Sequence, residues 1–300
     1  MGLKFILEKL RNSLSLLYSI LPFKSTIFKL VRLIHSPNQN IYKHLHFKGK
    51  YTVKINSKSS FNINHFGFQV ENDIFWSGLY GSYEKDSLRI WTKLCQNSKE
   101  VFDIGANTGV YSLIAKAVNN SNTVHAFDPV KRVFEKLTQN IHLNNFIIGA
   151  HQLALSNQSG EAFVFDIVAE HTYSVTVNKN LHLPTEKVNK VKIKTLRLDE
   201  FIEQNNVEKI ELMKIDVETH EFEVLEGMGK YLKIFKPTLL IEILNDEIAN
   251  KIQGLISDID YIYFNLNEKG DVKKVANLSK SDYHNFLICD KKTALELNLS

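Results

Sequence analysis

Cysteines and long apolar runs are scarce in this sequence of 300 residues, and each scarcity excludes a class of protein. No uninterrupted apolar run approaches the ~18 residues of a membrane-spanning helix. The two cysteines, Cys95 and Cys289, occur without C-x-x-C spacing, which excludes a disulfide framework and the usual ligand pattern of a zinc site. This cysteine usage is typical of a reducing compartment, so we expect a cytoplasmic protein.

Sequence signals of nucleic-acid binding are absent as well. The sequence contains no N-P-P-Y-type motif and no Pro-Cys nucleophile. Its formal net charge of +4 is unevenly distributed, because residues 1–50 carry nine basic side chains and one acidic side chain. That segment has a charge of +8, which leaves −4 for the rest of the chain. A mildly acidic body is a poor surface for nucleic acid, so we expect no nucleic-acid partner.

The basic N-terminal segment is predicted to be helical. Leucines recur at alternating spacings of four and three in residues 2–21, which indicates an amphipathic helix that ends at Pro22, and a second helix is predicted for residues 26–35. Residues 1–35 could contact the inner face of a membrane or cover the core of the body. A signal peptide is a rival interpretation of residues 13–23, although no A-x-A-like site follows.

The chain is therefore divided into a basic amphipathic helical extension, residues 1–50, and one α/β domain, residues 51–300. Alternating apolar and polar residues predict a small antiparallel β-meander over residues 51–80. Aromatic and glycine-rich residues 74–84 then form a lid, a pocket wall or a packed connector. The core, residues 84–300, alternates strands and helices except for a predicted β insertion over residues 160–196. Such an insertion would lie over the ligand crevice of the sheet and is a candidate acceptor site.

A strand, a tight turn and a helix are predicted where V-F-D-I-G-A-N-T-G occupies residues 101–109. Gly105 allows a ligand to approach the backbone, and Asn107 tolerates a left-handed conformation. Because Asn107 stands where a dinucleotide fingerprint has its middle glycine, a dehydrogenase is disfavoured. Asp128 ends the next predicted strand, where a carboxylate accepts the ribose hydroxyls of a nucleoside or caps the following helix.

Charged side chains interrupt and follow the mostly apolar strand predicted for residues 210–217. Strand alternation places Lys214, Asp216 and Glu218 on one face, and His220 follows at the start of a helix. Buried charges are costly unless they are paired or open into a cleft, so these residues are candidate catalytic groups. The structural alternative is a charge cluster that caps the helix, with Glu218 at its N-terminus. A metal ion held by Asp216, Glu218 and Glu242 is a weaker option.

Together these motifs resemble the FkbM family of S-adenosylmethionine (SAM)-dependent methyltransferases. The resemblance covers roughly residues 66–289 and includes I-F-W-S-G-L-Y at 74–80, H-A-F-D-P at 125–129, L-M-K-I-D-V-E at 212–218 and P-T-L-L-I-E-I at 237–243. It implies a Rossmann-like class I methyltransferase fold, a seven-stranded, mostly parallel sheet with helices on both faces. Asp128 and Thr219 depart from the family pattern, which commonly has Glu and Gly at these positions.

The resemblance also implies the function and the site. We expect a SAM-dependent O-methyltransferase that acts on a hydroxyl of a carbohydrate, glycolipid or related small molecule. The expected SAM-binding residues are Glu84, Asp103, Gly105, Asn107, Gly109, Asp128 and Ala154, and the expected catalytic residues are Asp216, Glu218 and His220. A catalytically silent SAM-binding protein of a membrane-associated assembly and a nucleic-acid methyltransferase are the alternatives. The sequence does not indicate the oligomeric state.

Overall fold

The computed structural model describes residues 22–167, 175–176 and 188–299, so the helix predicted for residues 2–21 lies outside the described residues. The second predicted helix is present as α1 (Lys24–Ile34), and α2 (Gln39–Tyr42) follows it. Phe28 of α1 packs against the rings of Phe47 and Trp76, and it belongs to the same buried cluster as the body. Within the described ranges, no helix is long and apolar enough to cross a membrane.

The β-meander predicted for residues 51–80 is only partly present. Strands β1 (Gly49–Lys54) and β2 (Ser60–His65) form an antiparallel hairpin, but α3 (Gln69–Ser77) replaces any further strand. The Glu71 carboxylate accepts a hydrogen bond from the backbone nitrogen of Phe68 at 3.2 Å and so caps the start of α3. Of the aromatic run at 74–84, Phe75 and Trp76 are buried residues of this helix, whereas Tyr83 and Glu84 line a cavity.

The centre of the domain is a mixed sheet, which confirms the α/β Rossmann-like prediction. Its order is β13-β12-β14-β11-β10-β3-β4-β5, and the run from β11 to β5 is parallel. The strands are β3 (Glu100–Ile104), β4 (Thr123–Phe127), β5 (Gly149–His151), β10 (Leu212–Ile215), β11 (Thr238–Glu242), β12 (Ile262–Leu266), β13 (Val272–Val275) and β14 (Asn285–Cys289). Among the described residues the sheet has eight strands rather than seven, because β13 pairs with β12 at one edge.

Helices cover both faces of this sheet, as predicted. They are α4 (Lys85–Asn97), α5 (Val110–Val118), α6 (Lys131–Leu143), α7 (Leu198–Gln204), α8 (Glu221–Gly227), α9 (Lys230–Phe235), α10 (Asp246–Leu255) and α11 (Lys291–Glu296). Strand alternation divides the core into two main clusters. Leu212 packs with α4 and α5 on one face, whereas its neighbour Met213 packs with α7 to α10 on the other.

A second, smaller sheet corresponds to the predicted insertion. Its order is β6-β9-β7-β8, formed by β6 (Ala154–Ser156), β7 (Gly160–Ile167), β8 (Val175–Thr176) and β9 (Val188–Arg197). The single strand predicted for residues 147–156 is divided between the two sheets, with β5 in the large sheet and β6 in the small one. Gly227 of α8 packs so closely on the Ser156 carbonyl that a Cβ there would overlap it.

Candidate active site

A cavity of about 690 Å³ opens at the carboxyl ends of β3, β4, β10 and β11. This is the edge where ligands bind in open α/β sheets. Residues Ala154, Ala162, Ile193 and Thr195 of the small sheet form one of its walls. The cavity therefore lies between the parallel sheet and the insertion, as the sequence pattern predicts.

The glycine turn after β3 forms the floor of the cavity. Gly105 has φ 81° and lies against the backbone oxygen of Asp216, so that a Cβ at this position would overlap that oxygen. Asn107 also has a positive φ of 51°, and its side-chain oxygen is buried without a hydrogen-bond partner in the described part of the chain. Gly109 does not line the cavity, since its α-carbon faces Leu137 of α6.

Asp103 stabilises the glycine turn through a side-chain contact with α5. One carboxylate oxygen accepts hydrogen bonds from the backbone nitrogen and the hydroxyl of Ser112, at 2.9 and 2.5 Å, and thereby caps α5. The other oxygen is buried without a partner among the described residues and belongs to a side chain that lines the cavity. Burial raises the pKa of Asp103 to about 6. Asp103 thus stabilises the turn and retains one acceptor for a ligand.

Asp128 lies at the tip of β4 in the same cavity, as predicted for a ribose ligand. Its Oδ1 accepts a hydrogen bond from the backbone nitrogen of Val130 at 3.0 Å, so it also caps the loop before α6. The side chain is buried, and burial raises the pKa of Asp128 to about 7 although the hydrogen bonds from Val130 and Asn107 oppose this shift. The helix-capping and ligand-binding interpretations are therefore compatible.

Glu84 and Ala154 complete the predicted cofactor set, and both line the cavity. Glu84 precedes α4 with φ 36° and accepts a hydrogen bond from the Tyr111 hydroxyl at 2.5 Å. Ala154 is the first residue of β6. Gly109 is thus the one predicted cofactor residue that the fold keeps out of the cavity wall.

Carboxylates cluster at the other end of the cavity around one buried lysine. The ammonium group of Lys214 lies 3.0 Å from Oδ2 of Asp216. Burial alone would lower the pKa of Lys214, but the neighbouring carboxylates, Asp216 first, raise it above its usual value. Burial raises the pKa of Glu242 to about 10, and the negative charge of Asp216 contributes to this shift. Glu242 is consequently protonated near neutral pH, whereas Lys214 is charged.

The three predicted catalytic residues all line the cavity, but a turn rather than strand alternation brings Glu218 there. Strand β10 ends at Ile215, and Glu218 and Thr219 have φ 52° and 82°. Glu221, the first residue of α8, closes this turn, because its Oε1 accepts from the backbone nitrogens of Val217 and Thr219 at 3.1 and 3.2 Å. A positive φ at Thr219 suits the glycine that the family pattern has at this position.

His220 connects α8 to the small sheet. Its Nε2 lies 2.9 Å from the hydroxyl oxygen of Ser156, and its Nδ1 lies 3.6 Å from Glu223. Burial lowers the pKa of His220, so the ring is neutral at pH 7. Sequence reasoning missed Ser156 as a neighbour of this site, because its proximity to His220 depends on the docking of β6 against α8. It also missed Glu223, although the spacing of three residues from His220 at the start of the same helix was a local signal for it.

Sequence reasoning did not identify Tyr111 as a residue of the cavity, and it considered Glu242 only as a possible metal ligand. Tyr111 follows the glycine turn directly, and its ring lies under the Lys214 ammonium at 5.1 Å. Glu242 is the one charged residue of β11, which was the signal for its consideration as a metal ligand. In the described residues, no three His, Cys, Asp or Glu side chains are grouped to hold a metal ion.

Comparison with known proteins gives a family for this geometry. Residues 103–272, more than half of the chain, match the family model described as "Methyltransferase FkbM domain". The hexuronic acid methyltransferase AglP of Haloferax volcanii is 29% identical over 150 residues, which cover 50% of this chain and 58% of that protein. The 31-O-demethyl-FK506 methyltransferase FkbM of Streptomyces tacrolimicus is 28% identical over 152 residues, covering 43% of this chain and 58% of that protein.

The chain thus spans less than two thirds of the length of these curated relatives. Among solved structures, a methyltransferase FkbM from Methylobacillus flagellatus aligns with a TM-score of 0.39 and 15% identity. That alignment covers 64% of this chain and 43% of the other.

Proposed function

The chain belongs to the FkbM methyltransferase family, and we propose that it transfers a methyl group from SAM to a hydroxyl of a neutral carbohydrate or glycolipid. SAM is the cofactor that this family membership assigns. One observation carries the proposal. The glycine turn with Asp103, and Asp128 on the next strand, line the same cavity as the carboxylate cluster around Lys214. A cofactor end and an acceptor end therefore adjoin.

The residues of the cofactor end fit SAM through their unused polar atoms. The buried oxygens of Asp103 and Asn107 have no hydrogen-bond partner in the described chain, and each could accept from the methionine amine. Asp128 would accept from the ribose hydroxyls. When bound, SAM supplies a methyl group that its sulfonium already activates.

The acceptor end supplies orientation and a place for the hydroxyl proton. Lys214 holds the Asp216 carboxylate in one position, and Glu218 faces the same space. Asp216, Glu218 and His220 would orient the acceptor hydroxyl and take its proton as the oxygen attacks the methyl carbon. Protonated Glu242 can donate a hydrogen bond to a second acceptor oxygen.

The charge of the acceptor end favours a neutral acceptor over an anionic one. Three carboxylates other than protonated Glu242 line it, namely Asp216, Glu218 and Glu223, and Lys214 is the one lysine or arginine among the described residues that line the cavity. That cation is already paired with Asp216. A carboxylated sugar would bring a further negative charge into this group, which is costly in a partly buried site. The acceptor of this chain therefore differs in charge from the hexuronic acid in the name of its Haloferax relative.

An acceptor panel with radiolabelled SAM tests the proposal. Matched pairs of neutral and carboxylated glycans, such as glucosides and glucuronides of the same lipid, separate the two classes. We expect transfer to the neutral member of a pair and little or none to the acid. Preferred transfer to glucuronides would contradict the charge argument, and SAM binding without transfer to any glycan would favour a silent SAM-binding protein.

A further inference from the structure

A second cavity, of about 480 Å³, lies outside the candidate active site. Lys29 and Arg32 of α1 and Lys50 of β1 line it, and we call it the basic cleft. Its walls are completed by Tyr51, Thr52, Asn62, Phe75 and Leu143, so no acidic side chain lines it in the described part of the chain. Three cations with no carboxylate among the described lining residues form a site of positive potential for an anionic group.

The three cations of the basic cleft are available to a ligand. Neither Lys29, Arg32 nor Lys50 forms an ion pair with a carboxylate of the described residues, whereas many exposed lysines elsewhere on the protein do. The guanidinium of Arg32 lies over the ring of Phe75 at 5.0 Å, which fixes its position at the wall of the cleft. Partial burial lowers the pKa of Arg32, yet a guanidinium remains charged throughout the physiological range.

The outer face of α1 carries an apolar surface next to the basic cleft. Phe28 is the only residue of α1 that is buried, which argues against a helix that mainly covers the core. The outward residues are apolar, and we call them the apolar arc: Ile27, Leu30, Val31, Leu33 and Ile34. Leu33 and Ile34 are 82% and 89% exposed. At 100° per residue, Arg32 and Lys29 fall between Phe28 and the apolar arc, so the cations flank it.

We propose that the basic cleft and the apolar arc form a binding site for the surface of an anionic membrane. The cations bind lipid phosphates while the apolar arc enters the boundary between headgroups and acyl chains. Charge complementarity favours an anionic membrane over an apolar protein surface as the partner. A purely apolar protein surface would not need cations beside the apolar arc. The proposal is independent of methyl transfer, and it places the membrane contact on residues 24–50.

Helix α3 gives this contact a connection to the active site. Val70 near its N-terminus lines the active-site cavity, and Phe75 lines the basic cleft. Five residues separate them, which is about 7.5 Å along a helix axis. One short helix therefore contributes a wall residue to each of the two cavities.

Vesicle co-sedimentation of the full chain tests the proposal. Vesicles of phosphatidylcholine alone are compared with vesicles that also contain phosphatidylglycerol. We expect binding to the mixed vesicles, and K29Q/R32Q/K50Q should weaken it on the order of a hundredfold, roughly fivefold for each cation at the surface. The double variant K29Q/K50Q changes exposed residues only and should show a smaller loss of the same sign, so a folding defect at Arg32 cannot explain the result.

A charge-matched control neutralises the exposed lysines Lys131, Lys209 and Lys292, which lie elsewhere on the protein. Vesicle binding of this control should stay within about twofold of the wild type. Equal loss in the control and the cleft variant would overturn the proposal in favour of net charge alone. L33S/I34S should also release the protein from the mixed vesicles, and its unchanged binding would contradict insertion of the apolar arc.

Two further outcomes would overturn the proposed location or ligand. If deletion of residues 2–21 abolishes vesicle binding while K29Q/R32Q/K50Q retains it, the contact belongs to the N-terminal segment. If inorganic phosphate binds to the wild type in calorimetry but neither vesicle does, the basic cleft is a site for a small soluble anion.

Discussion

Lys214 and Asp216 form a 3.0 Å ion pair at the end of the central strand β10, with the lysine almost completely buried and the carboxylate at the cavity. A buried ammonium group is costly to leave without a counter-charge, so the pair constrains where the Asp216 carboxylate lies. The surrounding carboxylates keep Lys214 charged. This arrangement makes Asp216 the best-positioned of the candidate catalytic side chains, and it guides the choice of variants.

Converting Glu218 to glutamine should lower methyl transfer by roughly 10²- to 10⁴-fold, the range associated with a general acid-base group. Asp216→Asn should lower it similarly, although this variant also leaves Lys214 without its nearest counter-charge. SAM affinity, measured by calorimetry, should change far less than turnover, because both side chains lie at the acceptor end. Wild-type turnover in both variants would make the cluster structural.

His220 can be distinguished from the carboxylates by a pH profile. Its pKa is lowered by burial, so a proton-accepting His220 would give an activity rise below pH 6.5 that His220→Ala removes. The Nε2 atom of His220 is hydrogen-bonded to the Ser156 hydroxyl, so a purely positioning role of His220 predicts a different result. In that case Ser156→Ala should reproduce the loss of turnover seen in His220→Ala, and the shape of the profile should not change.

Asp128 should make SAM binding depend on pH. Its pKa is about 7 in the free protein, and ribose hydroxyls bind the ionised carboxylate better than the neutral acid. SAM affinity should therefore rise between about pH 6 and pH 8, and Asp128→Asn should abolish this rise. Asp128→Ala should cost the ~1.5 to 3 kcal/mol of a hydrogen bond to a charged group. Calorimetry at several pH values measures both effects, and equal affinity in all three proteins would remove Asp128 from the site.

Gly105→Ala should destabilise the protein more than a positive φ alone explains. Gly105 and Gly78 have almost the same φ, 81° and 82°, but a Cβ on Gly105 overlaps the Asp216 oxygen, whereas a Cβ on Gly78 meets nothing within 4 Å. Gly78→Ala is thus a control for a positive φ without an overlap. Its expected cost is about 1–3 kcal/mol, because φ 82° and ψ 169° lie in a region that is almost restricted to glycine. Urea denaturation should show a clearly larger loss in Gly105→Ala, and SAM affinity should fall in that variant only. Equal losses would refute the close approach.

The free energy of unfolding should decrease from about pH 5 to pH 8 in the absence of ligand. Burial raises the pKa of Glu71 to about 8 and that of Glu221 to about 7, so each native side chain holds a proton that its unfolded form, with a pKa of about 4.3, has released. More protons bound in the native state means that stability falls as pH rises through this window. Glu71→Gln should flatten the dependence in thermal melts, whereas Glu135→Gln, at an exposed position, should leave it unchanged.

Local signals in the sequence determined much of the fold and the cofactor end of the site. The glycine turn at 101–109, Asp128 after β4 and helix α1 were all predicted, because each depends on residues close together in the chain. The same holds for the family, since its motifs are short and lie at the ends of strands. Asp103 shows the limit of this reasoning. Spacing alone does not reveal that one of its carboxylate oxygens accepts a hydrogen bond from Ser112, while the other has no partner among the described residues.

Only the tertiary structure decided the contacts between elements that are distant in sequence. Gly109 has the backbone conformation that the turn requires, yet packing against Leu137 keeps it out of the cavity. The predicted strand over residues 147–156 is divided, because β5 pairs with β4 in the large sheet and β6 pairs with β9 in the small one. The close packing of Gly227 on Ser156 accompanies the contact of Ser156 with His220. Periodicity specifies which face of an element is apolar, but it does not specify the neighbour that buries that face. The contact of His220 with Ser156 therefore depended on how α8 packs against β6, which no local pattern contains.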